Sequence, residues 1–256
     1  VIPSDDRGFT LGDGLFETVL ARGGELVALG PHLDRLTAGC AVLGLPAPHR
    51  AGAEQLMRRA LTDAGLQAER AAVRLTFTAG SGGRGLDRPA DLEPRLVATA
   101  AAAPWSSTPA QLITSRVRRN DQSPAARLKT LSYLDNLLAR AEARAAGADE
   151  AVMLNTRGEL AGAAAANLFW IRGRALFTPA LACGVLAGTM RAQVLAHAAG
   201  LGLVAQEVAA GPEALAVADA VFVTNALIGV RPVAAVDGRP YAPHPLAEGL
   251  VAKFGV

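Results

Sequence analysis

The sequence predicts an α/β protein made of two units, and three observations carry that expectation. Strand-like alternation and helix-like periodicity are interleaved in both halves of the 256 residues, which favours mixed layers over a β-sandwich or a helical bundle. A Pro- and Ser-rich stretch, APWSSTPA at 103–110, separates the halves. Hydrophobic residues make up 51% of the chain, enough to fill a sizeable core. The expected division is an N-terminal α/β domain over 1–104, a linker over 105–112 and a larger C-terminal α/β domain over 113–256.

From the N-terminus, GLFETVLARGGELVALG (14–30) reads as two strands around a Gly23-Gly24 turn. PHLDRLTAGCAVLGL places Leu33, Leu36, Cys40 and Leu43 at helical spacing, and GAEQLMRRALTDAGL repeats the period until Gly65 stops it. AAVRLTFTAG alternates as a strand and runs into SGGRG; PRLVATAAA is a further strand. QLITSRVRRN is a strand followed by the loop DQSPAAR. The next helix carries Leu131, Leu134, Leu138, Ala141 and Ala145 on one face and ends at Gly147. EAVMLN, ELAGA and NLFWIR are three short strands, with ALFTPAL as a fourth, and GVLAGTMRAQVLAHAAG is a glycine-marked loop entering a helix. LVAQEVA and DAVFVTNA are strands around a short helix, and VRPVAAVDGRPY is a hairpin.

Composition removes several function classes. Twenty-five basic residues against 23 acidic ones leave a formal charge of +2, a balance that gives no reason to expect a nucleic-acid or anionic-membrane surface. Apolar runs stop well short of a bilayer span, so no transmembrane helix is expected. No signal-peptide pattern is visible in VIPSDDRGFT, and the missing initial Met leaves targeting open. Cys40 and Cys183 form neither a CxxC nor a metal spacing and read as buried thiols of a reducing cytoplasm. His32, His49, His197 and His244 show no ligand spacing and read as structural or surface residues, so no metal is expected.

Some stretches carry candidate chemistry. GSGGRG (80–85) lacks the Lys-Ser/Thr of a Walker loop and opens no helix, so it reads as a flexible, Arg-bearing loop at a strand end. LAGTMRAQVL (186–195) puts Gly188 before a helix whose first amides, of Thr189 and Met190, favour an anion; a plain helix start is the competing reading. VTNALIG ends a strand in hydroxyl and amide side chains that suit a phosphate or a turn, and Arg35 in HLDRL reads alone as a solvated helix arginine. Lys129, in LKTLSYLDN, stands between a basic segment and a helix in a chain with two lysines.

DRGFTLGDGLFET, HLDRL, GSGGRG, LKTLSYLDN, NLFW, GVLAGTMR and VTNAL occur in that order over nearly the whole chain. The set resembles the class IV (fold type IV) pyridoxal-phosphate enzymes, which include branched-chain and D-amino-acid aminotransferases and 4-amino-4-deoxychorismate lyase. GSGGRG after a strand and the short length lean towards the lyase. The resemblance implies a two-domain fold type IV architecture, pyridoxal 5'-phosphate as cofactor, a homodimer, and a C-terminal domain that carries the cofactor lysine. Lys129 matches the lysine that holds the cofactor aldehyde and shuttles the proton, a role closed to arginine because it does not lose its proton. Arg116, Arg118, Arg119 and Arg127 are expected to depress its pKa. Arg35, Gly188, the amides of Thr189 and Met190 and the Asn225 side chain would hold the phosphate, and Tyr133 the phenolic oxygen. Arg119, with Arg84 second, would hold a substrate carboxylate.

One position departs from that pattern. Relatives carry a glutamate that keeps a proton on the pyridine nitrogen, and counting back from Asn167 that position is Gly162; Glu159 lies three residues earlier. Without the carboxylate the electron sink is weaker, and Gly162→Glu is expected to raise turnover. The leading expectation is a cytoplasmic lyase of folate biosynthesis that releases pyruvate from 4-amino-4-deoxychorismate and leaves 4-aminobenzoate. The alternatives are a class IV aminotransferase, and a cofactor-binding homologue with weak turnover because of Gly162.

Overall fold

Leu15, Glu17, Val19 and Ala21 share one face of a strand by simple alternation, and in the computed structural model of the chain that face is buried. The structure describes residues 2–83 and 85–254, and they divide into two units, Val1–Pro104 with Leu128–Ser132, and Trp105–Arg127 with Tyr133–Val256.

The first unit contains α1 (Arg7–Leu11), β1 (Gly14–Arg22), β2 (Glu25–Leu26), α2 (Leu29–Leu43), α3 (Arg50–Asp63), β3 (Arg70–Thr78) and β4 (Arg95–Ala102). Its sheet is antiparallel in the order β2-β1-β3-β4. Helix α2 lays Leu33, Leu36 and Cys40 on Leu15 and Val19, the periodicity read from the sequence. Helix α1 was not visible as a pattern because it is held by a cap. The buried Asp6 carboxylate accepts from the amides of Gly8 (2.8 Å) and Phe9 (3.4 Å).

The loop after β3 is tied down, contrary to the flexible loop expected. Buried Arg7 donates to the carbonyls of Leu86 (2.7 Å) and Asp87 (3.0 Å), and Asp13 accepts from both Arg7 and Arg88. Arg7 and Asp13 of DRGFTLGDG thus hold residues 85–88 in place. Arg84 lies outside the described residues.

Leu128–Ser132, expected in the C-terminal half, packs with the first unit. The amide of Phe16 donates to the carbonyl of Lys129 (2.9 Å) and that of Leu131 to Gly14 (3.0 Å), so the segment pairs along the edge of β1. Backbone pairing outweighs sequence proximity here.

The second unit contains β5 (Ala110–Arg119), α4 (Leu134–Ala145), β6 (Glu150–Asn155), β7 (Leu160–Ala163), β8 (Asn167–Arg172), β9 (Ala175–Pro179), α5 (Thr189–His197), β10 (Val204–Val208), α6 (Glu213–Ala216), β11 (Ala220–Asn225), β12 (Gly229–Val236), β13 (Arg239–Pro240) and α7 (Pro245–Phe254). Among the described residues they form one mixed sheet, β10-β9-β8-β11-β12-β5-β6-β7, with β13 on β12. The expected linker already enters β5 at Ala110.

The leucine face assigned to the helix after Lys129 is not its packing face. Leu134 and Leu138 are 64% and 48% exposed, while Ala139 and Ala143 are buried with Ala151, Met153 and Ala164. Small residues let the helix approach the sheet closely, and the leucines are left outside. No helix among the described residues is long and apolar enough to cross a membrane.

Candidate active site

Lys129 is half-buried in the first unit. Its Nζ lies 4.2 Å from the centroid of the Phe16 ring, and Arg74 Cζ lies 3.7 Å from the same ring. Burial, then the charge of Arg35 and a smaller push from Arg74, lower the Lys129 ammonium to about 8, while Glu17 acts in the opposite sense. The sequence assigned this field to Arg116, Arg118, Arg119 and Arg127; the arginines that supply it are Arg35 and Arg74, brought in by α2 and β3. An amine with that pKa gains its lone pair near neutral pH. The rate at which Lys129 captures an aldehyde should therefore rise about tenfold per pH unit below 8 and level off above it. Stopped-flow absorbance on adding pyridoxal phosphate to the apoprotein reads this directly, and a midpoint at the ordinary lysine value would refute it.

Arg35 does not behave as a solvated helix arginine. Its Nε donates to Glu17 Oε1 (2.7 Å) and its Nη2 to Glu17 Oε2 (2.6 Å). His32 Nδ1 completes the group at 2.7 Å from Glu17 Oε2. Glu17 and His32 are buried, and Arg35 is 16% exposed. Burial alone would raise the Glu17 carboxyl, but hydrogen bonds and charge from Arg35 and His32 hold it below its ordinary value. Sequence reasoning passed over Glu17. The signal was present: it is the one charged residue on the inward row Leu15, Glu17, Val19, Ala21.

In the second unit α5 starts after Gly188. A Cβ at that position would collide with Asn167 Oδ1, while Asn167 Nδ2 donates to the carbonyl of Leu186 (2.9 Å). Glycine is required there, and Asn167, another residue the sequence did not single out, shapes the approach to the helix. Gly188 makes no side-chain cap bond, and Thr189 and Met190 open the first turn of α5. Asn225 is engaged in its own turn. Its Oδ1 accepts from the amides of Leu227 and Ile228 (both 2.9 Å), and its Nδ2 donates to Ala165 O (3.0 Å). The side chain stabilises a turn, a local competitor that the sequence cannot distinguish from a ligand. Its neighbour Thr224 has a buried hydroxyl without a hydrogen-bond partner among the described residues, and it sits opposite Asn167 in the β8–β11 register.

Arg119 and Tyr133 belong to the same unit. Arg119 Nη2 donates to Met153 Sδ (3.2 Å) and Ala163 O (3.5 Å), and its buried Nε has no partner among the described residues. Desolvation lowers its pKa, and Tyr133 and Asp135 counteract that. Tyr133 precedes α4, where its carbonyl accepts the Leu137 amide. Glu159 is engaged by Arg157 and Asn155. Gly162 has φ +93°, and an added Cβ would lie 3.3 Å from Ala166 O. Any side chain at 162 is strained. Gly162→Ala and Gly162→Glu should each destabilise the protein by about 1–2 kcal/mol, measured by urea unfolding. Wild-type stability in both would show that the backbone relaxes, and the expected gain from Gly162→Glu must be read against this cost.

The first unit thus holds a lysine whose ammonium is lowered to about 8 and an arginine fixed by a carboxylate, and the second holds the glycine-led start of α5. The family model for class IV amino-transferases matches residues 14–236. The chain belongs to that family of pyridoxal-phosphate-dependent enzymes, with the fold type IV architecture. It is 31% identical over 243 residues to the aminodeoxychorismate lyase of Vibrio harveyi, covering 92% of this chain and 88% of that one. It is 26% identical over 250 residues to the D-alanine aminotransferase of Bacillus licheniformis, covering 96% and 88%. The crystal structure of 4-amino-4-deoxychorismate lyase from Pseudomonas aeruginosa superimposes with a TM-score of 0.88 at 32% identity, covering 99% and 94%.

Proposed function

We propose that the chain is a pyridoxal-phosphate-dependent 4-amino-4-deoxychorismate lyase. The observation that carries the reading is Lys129, an amine lowered to about 8 beside Arg35, in a chain whose relatives include lyases of that name. Bound cofactor supplies the aldehyde and the electron sink. Lys129 holds that aldehyde and then takes the proton from C4 of the substrate. Arg35 and the amides of Thr189 and Met190 bind the phosphate, and the Thr224 hydroxyl is a further donor for it. Tyr133 binds the phenolic oxygen. Arg119, whose buried Nε has no partner among the described residues, holds a substrate carboxylate; Arg84 is the second choice for that role.

The proton removed from C4 is balanced by one delivered to the departing pyruvate as the ring becomes aromatic, so no keto-acid acceptor is consumed. The test follows from this balance. Incubation with the chorismate-derived amine, without acceptor, should release pyruvate and 4-aminobenzoate in equal amounts. Amine transfer that requires a keto acid would instead make the chain an aminotransferase, and cofactor binding with neither activity would make it a binding homologue. The same reading places a homodimer in the cytoplasm, for which the exposed Leu134, Leu137 and Leu138 of α4 offer an apolar face. Sedimentation of the full chain tests the dimer.

A further inference from the structure

The Glu17 carboxylate occupies a position where an apolar side chain would pack. Its row neighbours Leu15 and Val19 belong to the core beneath α2, and its own side chain is 1% exposed. A buried ion pair gives little net stability over a hydrophobic residue of similar size, so fold stability does not account for it. The pair does fix geometry. Two parallel N–H···O bonds from Arg35 set the plane of its guanidinium, and His32 holds the carboxylate from a third direction. Glu17 comes from the middle of β1, and His32 and Arg35 from successive turns of α2, all rigid elements.

We infer that Glu17 and His32 are positioning residues for the cofactor phosphate, which act by locking Arg35 in its binding orientation before the anion arrives. This rests on the proposed cofactor role of Arg35. An unlocked arginine must be ordered on binding, and that ordering weakens affinity. The charge of Glu17 also tempers the field of Arg35 at Lys129, so the test must separate position from charge.

Glu17→Asp does so, because it keeps the charge but is one methylene too short to face both nitrogens of Arg35. The full chain is titrated spectrophotometrically with pyridoxal phosphate and with pyridoxal, which lacks the phosphate. Both ligands use Lys129, so the ratio of their affinities cancels any effect on the lysine. In Glu17→Asp that ratio should fall roughly three- to tenfold, the cost of ordering one arginine side chain, with pyridoxal affinity held. His32→Phe, which removes one hydrogen bond and leaves the ion pair, should lower the ratio in the same direction by less. An unchanged ratio in the folded variants, or an equal loss for both ligands, overturns the inference. If Glu17→Asp fails to fold, His32→Phe alone decides. A wild-type protein that does not prefer the phosphorylated ligand would defeat the cofactor reading itself, a separable outcome.

Discussion

Lys129→Ala should lower turnover by roughly 10²–10⁴-fold, the range for removing a positioned proton carrier. It should also abolish covalent capture of the cofactor. The chain has one other lysine, Lys253, exposed near the end of α7. Borohydride reduction of the loaded wild-type protein followed by peptide mapping should place the label on Lys129 alone. A label on Lys253, or one that persists in Lys129→Ala, would sink the assignment.

Arg35→Ala should have two separable effects. Losing a charge-assisted contact to a phosphate weakens cofactor affinity by about 1.5–3 kcal/mol, roughly ten- to a hundredfold. It also leaves the Glu17 carboxylate buried against His32 without its guanidinium, and breaking a buried pair in this way costs about 3–5 kcal/mol of stability. The double variant Arg35→Ala/Glu17→Gln removes the stranded charge, so it should recover most of the stability and none of the affinity. Urea unfolding and cofactor titration read the two effects independently. The stability difference between wild type and Arg35→Ala should shrink in acid. The lowered Glu17 carboxyl contributes above the ordinary carboxylate value, and that contribution is lost as pH falls through its folded-state value. Full affinity in Arg35→Ala would remove it from the phosphate site.

Most of the scaffold was legible in the sequence. The strand pair around Gly23-Gly24, helices α2 and α3, and the short strands from Glu150 onward follow from alternation, period and turn residues. The misreadings have identifiable physical causes. Leucines in α4 look like core, but the alanines pack, because hydrophobicity does not encode how closely a helix approaches a sheet. Glu17 went unread because no helix or strand pattern marks a lone charge on an inward row as functional. Lys129 was singled out by an ordered set of motifs, whereas the charged groups around it come from β1, α2 and β3, and no local pattern joins them.

The pairing of Leu128–Ser132 with β1 also bears on how the protein is made. The polypeptide leaves its first unit at Pro104 and returns at Leu128 for five residues. On the ribosome, strand β1 therefore waits for its edge partner until a stretch of the second unit has emerged, so the usual order of N-terminal unit first cannot run to completion. A fragment cut at Pro104 would keep Arg35 and its carboxylate but lack the lysine and the strand that covers Gly14 to Phe16. Chain synthesis thus delivers Arg35 early and Lys129 late, and the lysine segment reaches its place on β1 only after β5 has been made.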